Sequence, residues 1–313
     1  MTSEAQVILR SHQIRKSKKQ KQAFAAYLKD VAQSHGYSLT EESGALGARN
    51  LIVGDPDRAS VVYTAHYDTC ARLPFPNFIT PKNIFVYLLY QLLITALLFV
   101  PATLASVAVF GIGTLLSLNP DLTFFIAFWA WYLLLIAALV MIVAGPANKN
   151  TVNDNTSGVI TLLEIMCALP EKQRDRVAFV FFDLEELGLF GSSGFHSRHK
   201  QAMKQKLLLN FDCVSDGEYM LLAVRKRAHR YLPALEQAFP TTHAVKVELC
   251  TRGVFYPSDQ SSFPCGVGVA ALKYSRLLRT LYMDRIHTAR DTVCRQENIE
   301  YLTDCAIRLV DLV

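Results

Sequence analysis

Sixty-six consecutive residues, 83 to 148, carry a single charge, Asp121. Helices of a soluble core rarely stay uncharged beyond roughly 10–14 residues, whereas about 20 apolar residues suffice to cross a bilayer. Residues 84–118 contain no charge, and 122–147 repeat the feature after the polar link Ser117-Leu118-Asn119-Pro120-Asp121. The pattern predicts a transmembrane helical hairpin, with spans over 84–110 and 122–146. Pro101 and the pair Gly111 and Gly113 are points where the first helix can bend or end, which membranes tolerate when neighbours satisfy the backbone.

A two-helix hairpin returns the chain to the side it left, so the polar segments before and after it share one compartment. Arg72, Lys82 and Lys149 flank its outer ends, while the central turn offers only Asp121. Basic residues stay on the cytoplasmic side, which predicts an integral protein of the plasma (inner) membrane with a cytoplasmic soluble part. No N-terminal apolar stretch of the kind a cleaved export signal needs is present. Seven cysteines, at 70, 167, 213, 250, 265, 294 and 305, include no Cys-x-x-Cys pair and read as reduced, packed thiols.

The rest of the chain has the charge content of an ordinary soluble domain. The whole chain's excess of 32 Lys and Arg over 27 Asp and Glu is matched within residues 1–22, where Arg10, Arg15, Lys16, Lys18, Lys19 and Lys21 outweigh Glu4. A neutral remainder disfavours a nucleic-acid partner. The basic run leads into a helix over 23–32, with Phe24, Tyr27, Leu28 and Val31 on one face. It reads either as that helix's solvated first turn or as a patch drawn to an anionic leaflet.

With 83–148 set aside, strands and helices alternate. Residues 50–53 and 60–65 read as strands, 157–169 as a helix, 177–182 as a buried strand, 191–205 as helical and 207–211 as a further strand. This alternation predicts an α/β fold with a mainly parallel central sheet flanked by helices. Residues 1–82 and 149–313 then form one discontinuous domain, with the hairpin inserted in one loop.

Polar groups collect beyond the carboxyl ends of those strands, where open α/β sheets bind ligands. His66-Tyr67-Asp68 follows one strand, Asp183-Leu184-Glu185-Glu186 another and Asp212 a third, while Asn153-Asp154-Asn155 precedes a helix and His287 comes later. Each group alone has an ordinary explanation: a lone histidine caps turns, and Glu185-Glu186 suits a helix start. Together they form an inventory of metal ligands, because imidazole suits zinc and carboxylates bridge pairs of ions.

The segments VVYTAHYDT (61–69), NDNTSGVITLLEIM (153–166), VAFVFFDLEELGLFGSSGF (177–195), NFDCV (210–214) and IHTARDT (286–292) resemble the co-catalytic zinc aminopeptidases of clan MH. That family includes aminopeptidase Y, aminopeptidase S and glutamate carboxypeptidase. The resemblance covers nearly all of the soluble portion and implies a zinc-exopeptidase-like fold with two Zn2+ ions. It implies that His66 and Asp212 hold one ion, Glu186 and His287 the other, that Asp154 bridges them, and that Glu185 is the general base. Asp68, two residues after His66, is placed to accept the second imidazole N–H and fix its tautomer.

There are departures from the family pattern. Gln260 stands in Ser258-Asp259-Gln260-Ser261-Ser262-Phe263 where the family commonly has histidine. Tyr256 reads equally as a packed loop aromatic or as a donor to a tetrahedral oxyanion. Cys70 and Cys213 adjoin proposed ligands but read as packed, and His196 and His199 as surface residues on a helix. The largest departure is the hairpin, since Asp154 follows His66 by 88 positions.

The expected function is a membrane-anchored, zinc-dependent aminopeptidase acting on peptides, membrane-derived ones included, with its site near the cytoplasmic bilayer surface. Glutaminyl cyclase-like or carboxypeptidase activity and a non-catalytic receptor or scaffold are the alternatives. Retention of all five ligands and the base weighs against the last. Spans without an ionisable residue weigh against a transporter. Small residues (Ala96, Ala102, Ala105, Ala108) allow self-association, and the oligomeric state stays open.

Overall fold

A computed structural model describes residues 1–313. The chain divides into two units, residues 1–83 with 147–313 and residues 84–146. In the larger unit, strand β4 (Val177–Phe182) shows how the sheet is covered. Side chains alternate across a strand, so Val177, Phe179 and Phe181 join one apolar cluster and Ala178, Val180 and Phe182 another. All six are buried, which accounts for the unbroken apolar run in the sequence.

The strands preceding β4 are β1 (Leu39–Ser43), β2 (Arg49–Val53) and β3 (Val61–His66); β5 (Leu207–Phe211), β6 (Tyr219–Val224), β7 (Lys246–Cys250), β8 (Gly266–Ser275) and β9 (Thr280–Tyr282) follow it. Their order is β1-β2-β4-β3-β5-β8-β6-β7, with β9 beside β8. The centre is parallel, β4 with β3, β3 with β5 and β5 with β8. Antiparallel pairs lie outside it, β1 with β2, β2 with β4, β6 with β8 and β8 with β9. The sheet is therefore mixed, with the expected parallel arrangement concentrated where the ligand-bearing strands run.

Helices α1 (Ser3–Ser11) and α2 (Lys18–Ser34) open the chain. Ser17 and Gln20 form a reciprocal cap at the start of α2. Its Phe24, Leu28 and Val31 share a core cluster with α5 (Gly158–Ala168) and α9 (Gln296–Val310), and the Tyr63 hydroxyl donates to the Ala306 carbonyl at 2.7 Å. Phe195 of α6 (Phe190–Arg198), with Met203 of the short α7 (Lys200–Met203), covers the other face. Helix α8 (Leu232–Ala238) joins the first cluster through Leu235.

The smaller unit consists of α3 (Ile84–Leu115) and α4 (Pro120–Ala144), both long and apolar enough to cross a membrane. Helix α3 continues through Pro101 and past Gly111 to Leu115, five residues beyond the predicted end. Gly113 lies so close to Thr123 that a Cβ there would come within 2.3 Å of it. Ser106 donates to the Ala127 carbonyl at 2.8 Å and the Trp131 indole to Thr103 at 3.2 Å, so small and hydroxylated residues join the two helices.

Close approach of a different kind fixes the start of α5. A Cβ on Gly158 would lie 2.2 Å from the Phe211 carbonyl and 2.5 Å from the Asn155 side chain. Backbone cannot yield at such distances, so Gly158→Ala is expected to cost about 1–3 kcal/mol through displacement of helix and turn. A lowered thermal midpoint for the purified variant is the expected result, and an unchanged one would show that the turn has room.

Candidate metal centre

Parallel pairing places the ends of β4, β3 and β5 side by side. His66 is opposite Phe182, and Thr64 is opposite Asn210, so the residues following each strand emerge on one edge of the sheet. A wide helical turn over Val152–Ser157 brings Asp154 to the same edge, and the loop after β9 brings His287. These residues surround a cleft of about 330 Å³ lined by His66, Asp154, Glu185, Glu186, Asp212, Tyr256 and His287 among others.

Asp154 stands at the centre. Its Oδ1 is 3.3 Å from His66 Nε2, and its Oδ2 is 3.1 Å from His287 Nε2. Asp212 Oδ1 lies 3.5 Å from the same nitrogen of His66, and Glu186 Oε2 lies 3.3 Å from that of His287. One carboxylate thus faces two imidazoles, and each imidazole faces one further carboxylate.

The outer residues of Asn153-Asp154-Asn155 hold the turn. Asn153 Oδ1 accepts from the Ser215 and Asp216 amides, and Asn155 donates to the Phe211 carbonyl while accepting from the Gly158 and Cys213 amides. Asp291 accepts from the amides of Asn153 and Asp154 at 2.7 and 3.0 Å. The middle carboxylate is thereby left for the cleft.

Asp68 performs a related task. Its Oδ1 and Oδ2 accept from the Glu185 and Glu186 amides at 3.1 and 3.3 Å, tying the loop after β3 to the loop after β4. His66 Nδ1 is 3.1 Å from the Asp68 main-chain carbonyl and 3.5 Å from its carboxylate. Donation from Nδ1 to that carbonyl turns Nε2 toward Asp154 and Asp212, where it can serve as a ligand once its proton is displaced.

Left-handed backbone accompanies these positions. Leu184, Cys213 and His287 have φ of 56°, 59° and 64°, values that non-glycine residues adopt at a cost of about 1 kcal/mol or more. Each adjoins or is a residue of the cluster, and the Leu184 reversal turns Glu185 and Glu186 out of the strand direction.

Charge is unbalanced here. Glu185 and Glu186 are raised from the ordinary carboxylate range by burial and by neighbouring acids, Glu186 to about 8. Burial disfavours charge on the imidazoles too, but it is outweighed. Glu185, Asp154 and Asp212 raise His66 well above its usual value, and Glu186 with Asp154 raises His287 to about 9. Asp154 itself is lowered, because hydrogen bonds from both imidazoles overcome its burial. Excess negative charge is retaining protons.

A divalent cation would relieve that excess, and the residues fit one. The imidazole–carboxylate separations of 3.1–3.5 Å exceed the roughly 2.7–2.9 Å of charge-assisted hydrogen bonds. They match the roughly 3.3 Å between ligands about 2.0 Å from a shared tetrahedral ion. Glu186 Oε1 is buried without a hydrogen-bond partner, as are both carboxylate oxygens of Asp259. His66, Asp154 and Asp212 form one donor group, and Glu186 and His287 form another that includes the Cys70 thiol within 4.8 Å.

The Tyr256 hydroxyl donates to the Asp212 main-chain carbonyl at 3.0 Å while its ring lines the cleft. Gln260 donates to the Tyr256 carbonyl at 2.6 Å and accepts from Asn210 at 3.2 Å, so it braces the tyrosine. The Cys213 thiol lies 3.1 Å from Asp212 Oδ1, and all seven cysteines are free. His199 is not a free surface residue, because Asp57 and Glu42 hold it at 2.8 and 2.9 Å.

The N-terminal basic run is not simply a solvated or leaflet-facing patch. Arg15 is fully buried, its guanidinium donating to the Tyr67 carbonyl at 2.6 Å and to Thr156 at 3.2 Å. It joins the loops that carry Asp68 and Asp154. Lys21 pairs with the buried Asp183, so two of the six cations neither face solvent nor reach a leaflet. Sequence reasoning missed Arg15 because a charge count cannot distinguish buried from solvated cations. Asp291 was within reach, since it sits in the IHTARDT segment with a ligand.

The profile of peptidase family M28 matches residues 140–310, more than half of the chain. The chain belongs to peptidase family M28. No curated protein matches it in sequence. In structure it is similar to the LapA aminopeptidase of Legionella pneumophila, at 12% identity and TM-score 0.55 over 98% of this chain and 69% of that one. It is also similar to the glutaminyl cyclase of Porphyromonas gingivalis, at 15% and 0.57 over 99% and 97%. A leucine aminopeptidase precursor of Bacteroides thetaiotaomicron matches at 12% and 0.56 over 98% and 95%. At these identities the likeness establishes the shared fold.

Metal uptake must displace the protons that the cluster holds. With His287 raised to about 9 and Glu186 to about 8, apparent metal affinity is expected to rise with pH between 6 and 9 and level off above. Each displaced proton contributes up to about tenfold per pH unit. Competition against a chelator across that range measures it, and a flat profile would contradict the account of the charge.

Proposed function

We propose that the chain is a membrane-anchored, zinc-dependent aminopeptidase that releases N-terminal residues from peptides. The observation that carries the reading is the position of Asp154, whose two oxygens face His66 and His287 at 3.3 and 3.1 Å. A carboxylate so placed is suited to bridge two ions. His66 and Asp212 would hold one zinc ion, Glu186 and His287 the other, with Asp154 between them. Bound there, the ions supply a water of lowered pKa and polarise the scissile carbonyl.

The protein's own groups supply the rest. Glu185 lines the cleft and carries a carboxylate raised by burial and neighbouring acids. It would accept a proton from the attacking water and return it to the departing amine. Asp68 keeps Glu185 and Glu186 in place through their amides. Tyr256 supports the Asp212 carbonyl and shapes the wall against which a substrate lies.

Helices α3 and α4 would anchor this unit in the membrane, and the basic flanks Arg72, Lys82 and Lys149 favour a cytoplasmic catalytic domain at the plasma (inner) membrane. Peptides released within or beside the bilayer are then accessible substrates.

The fold also accommodates glutaminyl cyclases, so the deciding experiment compares substrates. Full-length protein is expected to require detergent for release from membranes. It should then liberate amino acids from peptides with free but not acetylated N-termini, without cyclising N-terminal glutamine. Chelation should abolish this and zinc restore it, while Glu185→Gln should lower kcat by about 10²–10⁴-fold. Cyclisation without hydrolysis would favour the cyclase reading, and recovery without detergent would contradict the anchor.

A further inference from the structure

Tyr256 and Pro257 line two cavities. One is the cleft of the carboxylate and imidazole cluster, and the other, of about 380 Å³, lies where β6 ends and the loop after β7 begins. The walls differ in charge. The cleft presents Asp154, Glu185, Glu186 and Asp212, whereas the second cavity presents Arg225, Lys226 and Arg252 and no acidic residue.

None of those three cations is committed elsewhere in an ion pair, and all three are exposed. The Arg225 guanidinium donates to the Ser261 main-chain carbonyl, which holds the head group at the cavity. Val254 and the exposed Phe255 add apolar wall beside it. The partition between the cavities is itself braced. Tyr256 is held by the Asp212 carbonyl through its hydroxyl and by Gln260 through its own carbonyl, and the Phe255 amide donates to Pro81 at 2.8 Å. A Cβ on Gly268 would lie 2.8 Å from the Gln260 side chain, so glycine there makes room for the brace.

We propose that the second cavity is a carboxylate-binding subsite, which makes peptides bearing a carboxylate a short distance beyond the scissile bond the preferred substrates. The inference rests on the peptidase reading above and adds the substrate class. Because Tyr256 and Pro257 line both cavities, a peptide whose scissile bond lies in the cleft and whose chain passes over them enters the second cavity with its following residues. Its carboxylate then meets two guanidinium groups, which suit bidentate recognition, and one ammonium. Either the α-carboxylate of a short peptide or an acidic side chain supplies that chemistry.

The test uses the full-length, metal-loaded protein and four peptides: Ala-Ala-Ala as the free acid and as the amide, and Ala-Ala-Asp and Ala-Ala-Asn, both as amides. Exposed charge pairs contribute up to about 1 kcal/mol each, so kcat/KM is expected to favour the carboxylate-bearing member of at least one pair by about fivefold. The difference should lie in KM and shrink as salt is added. The pair that shows it identifies the α-carboxylate or the side chain as the source.

Combined Arg225→Gln and Arg252→Gln substitution should bring the ratio to within about twofold of unity by raising KM for the carboxylate-bearing peptide. Should that variant melt early, Arg252→Gln alone and the salt series carry the same comparison. Equal turnover within both pairs overturns the proposal, as does a preference that survives substitution in a folded variant. Turnover of none of the four overturns the peptidase reading itself, and this inference with it.

Discussion

A buried carboxylate between two imidazoles is the interaction on which the rest of the site depends. Asp154 is nearly inaccessible, yet His66 faces one of its oxygens and His287 the other. Burying charge is costly unless it is paired, and breaking such a pair exposes the full penalty. The surrounding structure is arranged to hold that carboxylate where no helix or strand would place it. Asp291, Asn153 and Asn155 occupy the hydrogen-bonding capacity of the turn, and Arg15 secures it through Thr156.

The same arrangement explains how 87 residues can intervene between His66 and Asp154. Loop-closure entropy rises only slowly with length, so the need is to fix the two stubs. Ala71 pairs with Ala147, Asn148 donates to the Thr288 carbonyl at 3.0 Å, and the Arg15 amide donates to Thr69 at 3.0 Å. These bonds rejoin the chain within the larger unit, on either side of residues 84–146. An apolar hairpin can then be carried in that loop without strain on the ligands.

Much of this was legible in the sequence. The run Val177–Phe182 reads as a buried strand because both its faces are covered, and the strand appears with those bounds. The residues after β3, β4 and β5 stood out because several carboxylates and an imidazole follow separate strands whose carboxyl ends share one edge of the sheet. Long-range partnership was not legible. Nothing local marks Arg15 as different from Lys16, because its burial is decided by loops 52 and 141 positions away. The antiparallel pairing of β6 with β8 escaped for the same reason, since a strand's partner is set by the whole sheet.

Asp154 is proposed to bridge two ions, and direct counting of bound metal tests that role. Full-length protein dialysed against zinc should retain two ions per chain, and Asp154→Asn should weaken both together, since the carboxylate faces both donor groups. Retention of one ion with unchanged affinity in that variant, or of a single ion in the parent chain, would contradict the bridge.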